Sequence, residues 1–390
     1  MDYQKLCTFD VLYNAYKTAR VGKRTKPGAA QYEANALACT ERLAYLLSAQ
    51  KYKPGKFETF YVYEPKKRLV QAPAFVDKVV QHALVDNILY DAITRSFISD
   101  NYASQIGKGM HVGLERLRQQ MQDYFQKRKG HDEAARQMAG LTYQPAEEWN
   151  YAQGWILKAD VRHFFASIDH DILKAKLYKK IADKQVYQLM CIYIDSTKGL
   201  PLGYQTSQLL ALLYLDDFDH WIKEKLHIRY YGRYMDDFYI ISDSKAFLQG
   251  CLVKIRENLA ALKLELNEKT DIFPLKNGIN FLGFHTYLDS QGGVVMKLRR
   301  DSRKRMAARL RVWRRDYPAG KVEREQIVAS WKAWDAHAAH GDTYSLRQKI
   351  SAQVSEIIGV KCIARKPIRS SKNAKTRKKI QKMQRQQKNR

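Results

Sequence analysis

The chain has 390 residues with 45% hydrophobic and 12% aromatic content, enough for more than one hydrophobic core and too apolar for wholesale disorder. Its 68 Lys and Arg against 40 Asp and Glu leave a net charge of +28, which favours a polyanionic partner, nucleic acid before anionic membrane. Apolar runs are far shorter than the roughly 20 residues that cross a bilayer, and the start, MDYQKLCTFD, carries acids where a secretory leader needs a basic and then an apolar stretch. A cytoplasmic protein with no membrane partner is expected. The cysteines are scattered without close pairs, so neither a disulfide framework nor a zinc site is indicated.

In chain order, residues 31–50 carry Ala and Leu at helical spacing, and FETFYVYEP alternates as a strand does. Val80, Leu84, Ile88 and Ile93 lie near one face of a helix over 77–94, and Leu114, Leu117, Met121 and Phe125 mark another over 111–127. Residues 128–153 are polar, with little periodicity, and read as an insertion or linker. WILKADVRHFF reads as a strand ending in a turn, followed by a helix that begins near Asp169 or Asp171. Residues 204–226 read as an apolar helix with Asp216 and Asp217 on its solvent side, and 228–242 as a hairpin. Beyond Asp301 a basic helix is expected, with Met306, Leu310, Trp313 and Tyr317 on one face. Residues 361–390 hold 13 Lys or Arg and no acid, yet the remainder still carries +15. The body is therefore basic in its own right.

Asp-Asp-Phe occurs twice. The copy at 216–218 sits in a helical pattern, whereas Asp236-Asp237-Phe238 lies between aromatic and β-branched flanks, at the tip of the hairpin. Adjacent carboxylates at a turn repel one another, and a divalent cation relieves that repulsion. Asp160, at the end of the strand beginning near Trp155, supplies a third carboxylate. If the strand lies beside the hairpin, Asp160, Asp236 and Asp237 form an oxygen cage suited to two Mg²⁺ ions, with Mn²⁺ as the substitute. Such a pair activates an attacking 3′-oxygen and stabilises departing pyrophosphate.

Tyr234-Met235-Asp236-Asp237 resembles the active-site motif of reverse transcriptases, and the order around it agrees. From about residue 7 to 350 the chain resembles a bacterial non-retroviral reverse transcriptase. It shows in series EPKKR with AFVDKVVQHAL, DNYASQIGKGMH, LKADVRHFFASIDHDIL, GLPLGYQTSQ, RYMDDFYIIS, LNEKT, NFLGF and SWKAWDAHAAHGDTYSLRQKI.

The resemblance implies an α+β right-hand polymerase. Fingers would run over 1–154 with a polar insertion at 128–153, a palm of antiparallel sheet packed on helices over 155–290, a helical thumb over 291–365 and a basic tail over 366–390. It implies metal ligation by Asp160, Asp236, Asp237 and the Val161 carbonyl, and help from Lys269 as pyrophosphate leaves. Phe165 would exclude a ribonucleotide's 2′-hydroxyl, and an RNA polymerase would need a polar residue near that position. Lys108 and Arg68 would meet the triphosphate, and Leu202, Gly203 and Gln208 would border the nucleotide. Phe281, Leu282 and Gly283 would grip the primer, while Arg303, Arg311 and Arg314 would hold the duplex. Template RNA, RNA/DNA hybrid and deoxynucleoside triphosphates are the implied partners.

An aliphatic residue before Gly203 and the Ser207-Gln208 pair resemble the reverse transcriptases of diversity-generating retroelements, which copy a template RNA with errors at adenines. A small basic accessory protein would fit such a system. Tyr204-Gln205 in place of Asn-Leu, and Gln105 in place of Arg, depart from that pattern. Phage-defence reverse transcriptases are the alternative, and a catalytically silent RNA-binding scaffold is a further one. No second catalytic block is visible after residue 366, so integrase, endonuclease or RNase H functions are expected to reside in other proteins or to be absent.

Overall fold

A computed structural model describes residues 2–63, 67–139 and 153–366. Residues 140–152 of the polar insertion, the Glu64–Lys66 stretch and the tail beyond Lys366 lie outside these residues. The fold is the expected mixture of helices and antiparallel sheet, arranged as two compact units that interleave along the chain. Residues 1–105, 158–240 and 249–271 make the first unit; residues 106–157, 241–248 and those from 272 onward make the second. No helix among the described residues is long and apolar enough to cross a membrane.

In the first unit, β1 (Glu58–Val62) and β2 (Arg68–Ala72) form an antiparallel hairpin pairing Glu58 with Ala72 and Val62 with Arg68. β1 is exposed along its length, whereas β2 is half-buried over its last three residues, so the alternation in the sequence marks a ribbon exposed on one strand and packed at the end of the other. The Phe9–Ala19 helix packs on the Phe75–Leu84 helix through Tyr16, which also stacks on Tyr32. The expected 77–94 helix is present, but Val85–Leu89 is a π-helical turn. The extra residue per turn rotates the following face, so Leu89 is buried where the spacing pointed to Ile88.

A four-stranded sheet runs in the order β4-β5-β3-β6, from β3 (Trp155–Asp160), β4 (Tyr230–Tyr234), β5 (Asp237–Ser242) and β6 (Asp271–Pro274). β3 is therefore central, as its apolar Ile156, Leu157 and Ala159 require. Asp169 caps the next helix by accepting from the amides of Asp171 and Ile172. Asp216 corrects the sequence reading: it is 2% exposed, facing Ser96 and Lys180, and only Asp217 takes the solvent side, paired with Lys176. Helical spacing could not separate two neighbours whose basic partners come from elsewhere in the chain.

In the second unit, β7 (Ile279–Phe281), β8 (Phe284–Leu288) and β9 (Val294–Leu298) form an antiparallel meander. The helix expected to end near Lys127 continues from Met110 to Met138, so the start of the presumed linker is helical. Leu114, Leu117, Met121 and Phe125 bury the expected stripe. Three helices follow, Arg300–Asp316, Arg324–Ala338 and Tyr344–Ile358. The first turns Met306, Leu310 and Trp313 inward and exposes Arg300, Arg303, Arg305, Arg311, Arg314 and Arg315.

Candidate active site

The hairpin between β4 and β5 turns through two residues, Met235 and Asp236, with Met235 in the left-handed region at φ 58°. Because β5 lies beside β3, the turn meets the end of β3. There the Val161 amide donates to the Asp236 carbonyl at 3.2 Å. On the other side of β3 the Asn267 amide donates to the Asp160 carbonyl at 2.7 Å, and its side-chain amide reaches an Asp160 carboxylate oxygen at 3.4 Å. Backbone bonds from two directions thus hold Asp160 and Asp236 facing one another.

Burial first, and then the neighbouring Asp160 charge, push the Asp236 carboxyl up to about 6, with Arg68 opposing both. Arg68, a sequence candidate, is thereby placed within electrostatic reach of the pair. Asp237 goes elsewhere: its carboxylate pairs with the Lys158 ammonium. Lys158 stands two residues before Asp160, hence on the same face of β3. The expected three-carboxylate cage is thus two carboxylates and one ion pair, and among the described residues no three His, Cys, Asp or Glu side chains converge as metal ligands. Lys269 is exposed; its amide donates to the Asn267 side chain at 3.1 Å, which ties its loop to the residue bracing Asp160.

Two facing carboxyls, one whose charged form is disfavoured by burial and by the other's charge, suit a divalent cation that compensates both penalties. Without a cation, a carboxyl raised from 3.8 to about 6 favours the fold below its unfolded value, and that contribution is lost as pH rises through 6. Mg²⁺ is therefore expected to raise the melting temperature at pH 7.5 and leave it unchanged at pH 5. Scanning fluorimetry of the parent protein and Asp236→Asn checks this; an equal Mg²⁺ shift in both would remove the carboxyl pair as the binding site.

Beyond Asp160 the chain passes His163, left-handed at φ 47°, into the short Phe164–Ser167 helix. Phe164 points into the core, and Phe165 meets it edge-on at 5.7 Å. The Phe165 carbonyl accepts from the Leu200 amide at 2.7 Å, drawing the 199–203 loop against it. Phe165, Leu202, Gly203 and Gln208 then line one cavity of about 500 Å³, with Ser207 and His82. The expected nucleotide-bordering residues are thus brought together. Gly203 is required there because a Cβ would stand 2.3 Å from the Gln71 carbonyl oxygen of β2. Gln208 accepts from Ser104 at 2.7 Å, and Gln105 donates to the Asn101 carbonyl at 2.8 Å.

The remaining candidates lie in the second unit. Lys108 sits between left-handed Gly107 and Gly109, just before the long helix. Phe281 is 1% exposed and serves the core of the meander, while Leu282 and Gly283, at φ 47° and 88°, form the turn between β7 and β8. Arg303 and Arg311 are exposed, but Arg314 is engaged by Glu356 at 3.3 Å. Asn267 and Lys158 were not among the candidates. The i, i+2 strand spacing flags Lys158, and Asn267 lies in the LNEKT segment, but its place beside Asp160 comes from the pairing of two distant segments.

Comparison with known proteins adds the following. Protein YkfC of Escherichia coli (strain K12) is 23% identical over 276 residues, covering 57% of this chain and 65% of that protein. Apo telomerase from Candida tropicalis matches with 12% identity over 78% of this chain and 59% of that one, TM-score 0.42. Telomerase from Candida albicans, in complex with a fragment of telomeric RNA, matches with 10% identity over 78% and 62%, TM-score 0.38. The family model for reverse transcriptase (RNA-dependent DNA polymerase) matches residues 64–286. Since that span takes in both carboxylates, the hairpin and the whole cavity lining except Lys23, this chain belongs to the reverse transcriptase family.

Proposed function

We propose that the protein synthesises cDNA on a bound RNA template, as the error-prone reverse transcriptase of a diversity-generating retroelement. The observation that carries the polymerase reading is the pairing of Asp160 and Asp236 at the end of β3, five residues before Phe165 on the cavity wall. Asp160 and Asp236 would hold the divalent ions, Mg²⁺ or Mn²⁺, with Asp237 and the Val161 carbonyl beside them. When bound, the ions supply Lewis-acid stabilisation of charge on the transferring phosphoryl group. Arg68 and Lys108 attract the triphosphate, Lys269 assists the departing pyrophosphate, and the cavity wall orients base and sugar. Leu202 offers no hydrogen bond to the nascent pair, so selection there rests on shape, which supports low fidelity. Leu282, Gly283, Arg303 and Arg311 would contact primer and duplex. Fingers, palm and thumb follow the sequence assignment, and the site of action is the cytoplasm, with a small basic accessory protein.

Sequencing the cDNA that the purified protein makes on its co-purifying RNA, with Mg²⁺ and four deoxynucleotides, tests this. Errors concentrated at template adenines support the retroelement reading. Faithful copies, homopolymers or untemplated repeats overturn it in favour of a phage-defence enzyme, the reading that the Tyr204-Gln205 departure favours. An RNA-binding scaffold would make no product under any primer.

Phe165→Ala is expected to admit ribonucleotides, lowering discrimination between deoxy and ribo substrates by about 100-fold, since loss of a steric wall removes a few kcal/mol of selection. Competitive incorporation on a defined primer-template measures it. Unchanged sugar selection would leave Phe165 a packing residue only.

A further inference from the structure

Behind the catalytic turn lies a buried charge pair that the polymerase reading does not use. Arg233, the penultimate residue of β4, is fully buried, as is Asp219. The guanidinium donates from Nε to one Asp219 oxygen at 2.7 Å and from Nη2 to the other at 2.5 Å. Its third direction is the informative one: Nη1 donates to the Met235 carbonyl at 2.7 Å. Met235 holds φ 58°, a conformation disfavoured for a long side chain and tolerated chiefly by Gly, Asn and Asp. Its carbonyl belongs to the planar peptide that carries the Asp236 nitrogen, so fixing that oxygen fixes the plane from which Asp236 departs.

The clamp is itself anchored. Tyr231 donates to Asp219 at 2.6 Å, and the Asn101 side-chain amide lies 3.5 Å from its other oxygen. The Arg233 amide donates to the Asp100 carbonyl at 2.9 Å, and the Tyr102 amide to the Arg233 carbonyl at 3.0 Å. A buried ion pair is a poor stabiliser compared with apolar residues of the same volume, whereas a planar fork with donors in three directions is a good geometric fixture. We infer that Arg233, held by Asp219, is the positioning residue that keeps Met235 left-handed and so sets the stance of the Asp236 carboxylate toward Asp160.

This inference rests on the polymerase reading, and its test separates the two. Arg233→Lys keeps a cation facing Asp219 but cannot donate along all three directions. With full-length protein, poly(rA)/oligo(dT), dTTP and Mg²⁺, kcat per folded molecule is expected to fall by about 100-fold, the scale of a misplacement near 1 Å. KM for dTTP and primer-template affinity should stay within about threefold, because binding groups are untouched. Adding Met235→Asn, a residue that takes the left-handed region readily, is expected to recover about tenfold in kcat. Should Arg233→Lys fold poorly, Asp219→Asn, which keeps shape and loosens the fork, is expected to give the same split at about tenfold.

A wild-type kcat per folded molecule with only a lower melting temperature, a rise in KM at constant kcat, or no recovery with Met235→Asn would each overturn the positioning role. Failure of the parent protein to extend, or parental extension by Asp236→Asn, would instead overturn the polymerase reading, and is read on different variants.

Discussion

Asp236→Asn is expected to reduce primer extension by about 1,000-fold or more, because the charged ligand contributes several kcal/mol of transition-state stabilisation. The substitution preserves shape, so the Met235 turn and its bond from Arg233 remain. RNA affinity should be nearly unchanged, since it depends on a basic surface and on counterion release rather than on this carboxylate. The structure adds an asymmetry that the adjacent letters do not show. Asp237 pairs with Lys158, so Asp237→Asn is expected to cost only about tenfold, the scale of a perturbed neighbour rather than a lost ligand. Single-turnover extension and filter binding on one primer-template measure both. Extension by Asp236→Asn within tenfold of the parent would remove the proposed metal site.

The largest effect on stability is expected in the second unit, at Asp335. Its carboxylate is 1% exposed and receives Arg347 Nε at 2.8 Å, Arg347 Nη2 at 3.2 Å and the Arg365 amide at 3.0 Å. The Arg347 side chain also donates to the Arg365 carbonyl at 2.5 Å. The pair thereby joins the Arg324–Ala338 helix, the Tyr344–Ile358 helix and the segment leaving it. Asp335→Ala strands a buried guanidinium, which costs about 3–5 kcal/mol. Replacing both residues by apolar ones of similar volume should recover most of it. Urea unfolding followed by the neighbouring Trp331 and Trp334 reads the change. A loss below about 1 kcal/mol would mean that water or another group reaches Arg347 in the variant.

Features whose signals are local were legible in the residues alone. Apolar spacing placed the long helix from Met110, the basic helix from Arg300 and the β4–β5 hairpin, because helix and strand periods are read from neighbours in the chain. Residue chemistry likewise selected Asp160, Asp236 and Asp237, and motif order selected Phe165, Leu202, Gly203 and Gln208, the last four of which the fold gathers around one cavity. Tertiary structure decided which like residues do unlike things. Asp216 and Asp217 adjoin in sequence, yet one is buried with Ser96 and Lys180 and the other is exposed. Asp236 and Asp237 adjoin as well, yet one meets a carboxylate and the other an ammonium. A π-turn at Val85–Leu89 shifted a buried face by one residue. Arg233 reads as one more cation in a basic chain until Asp219 and the Met235 carbonyl surround it. In each case the deciding partner lies on another element. Burial then makes that partner decisive, because a charge removed from water must be met by whatever the fold brings to it.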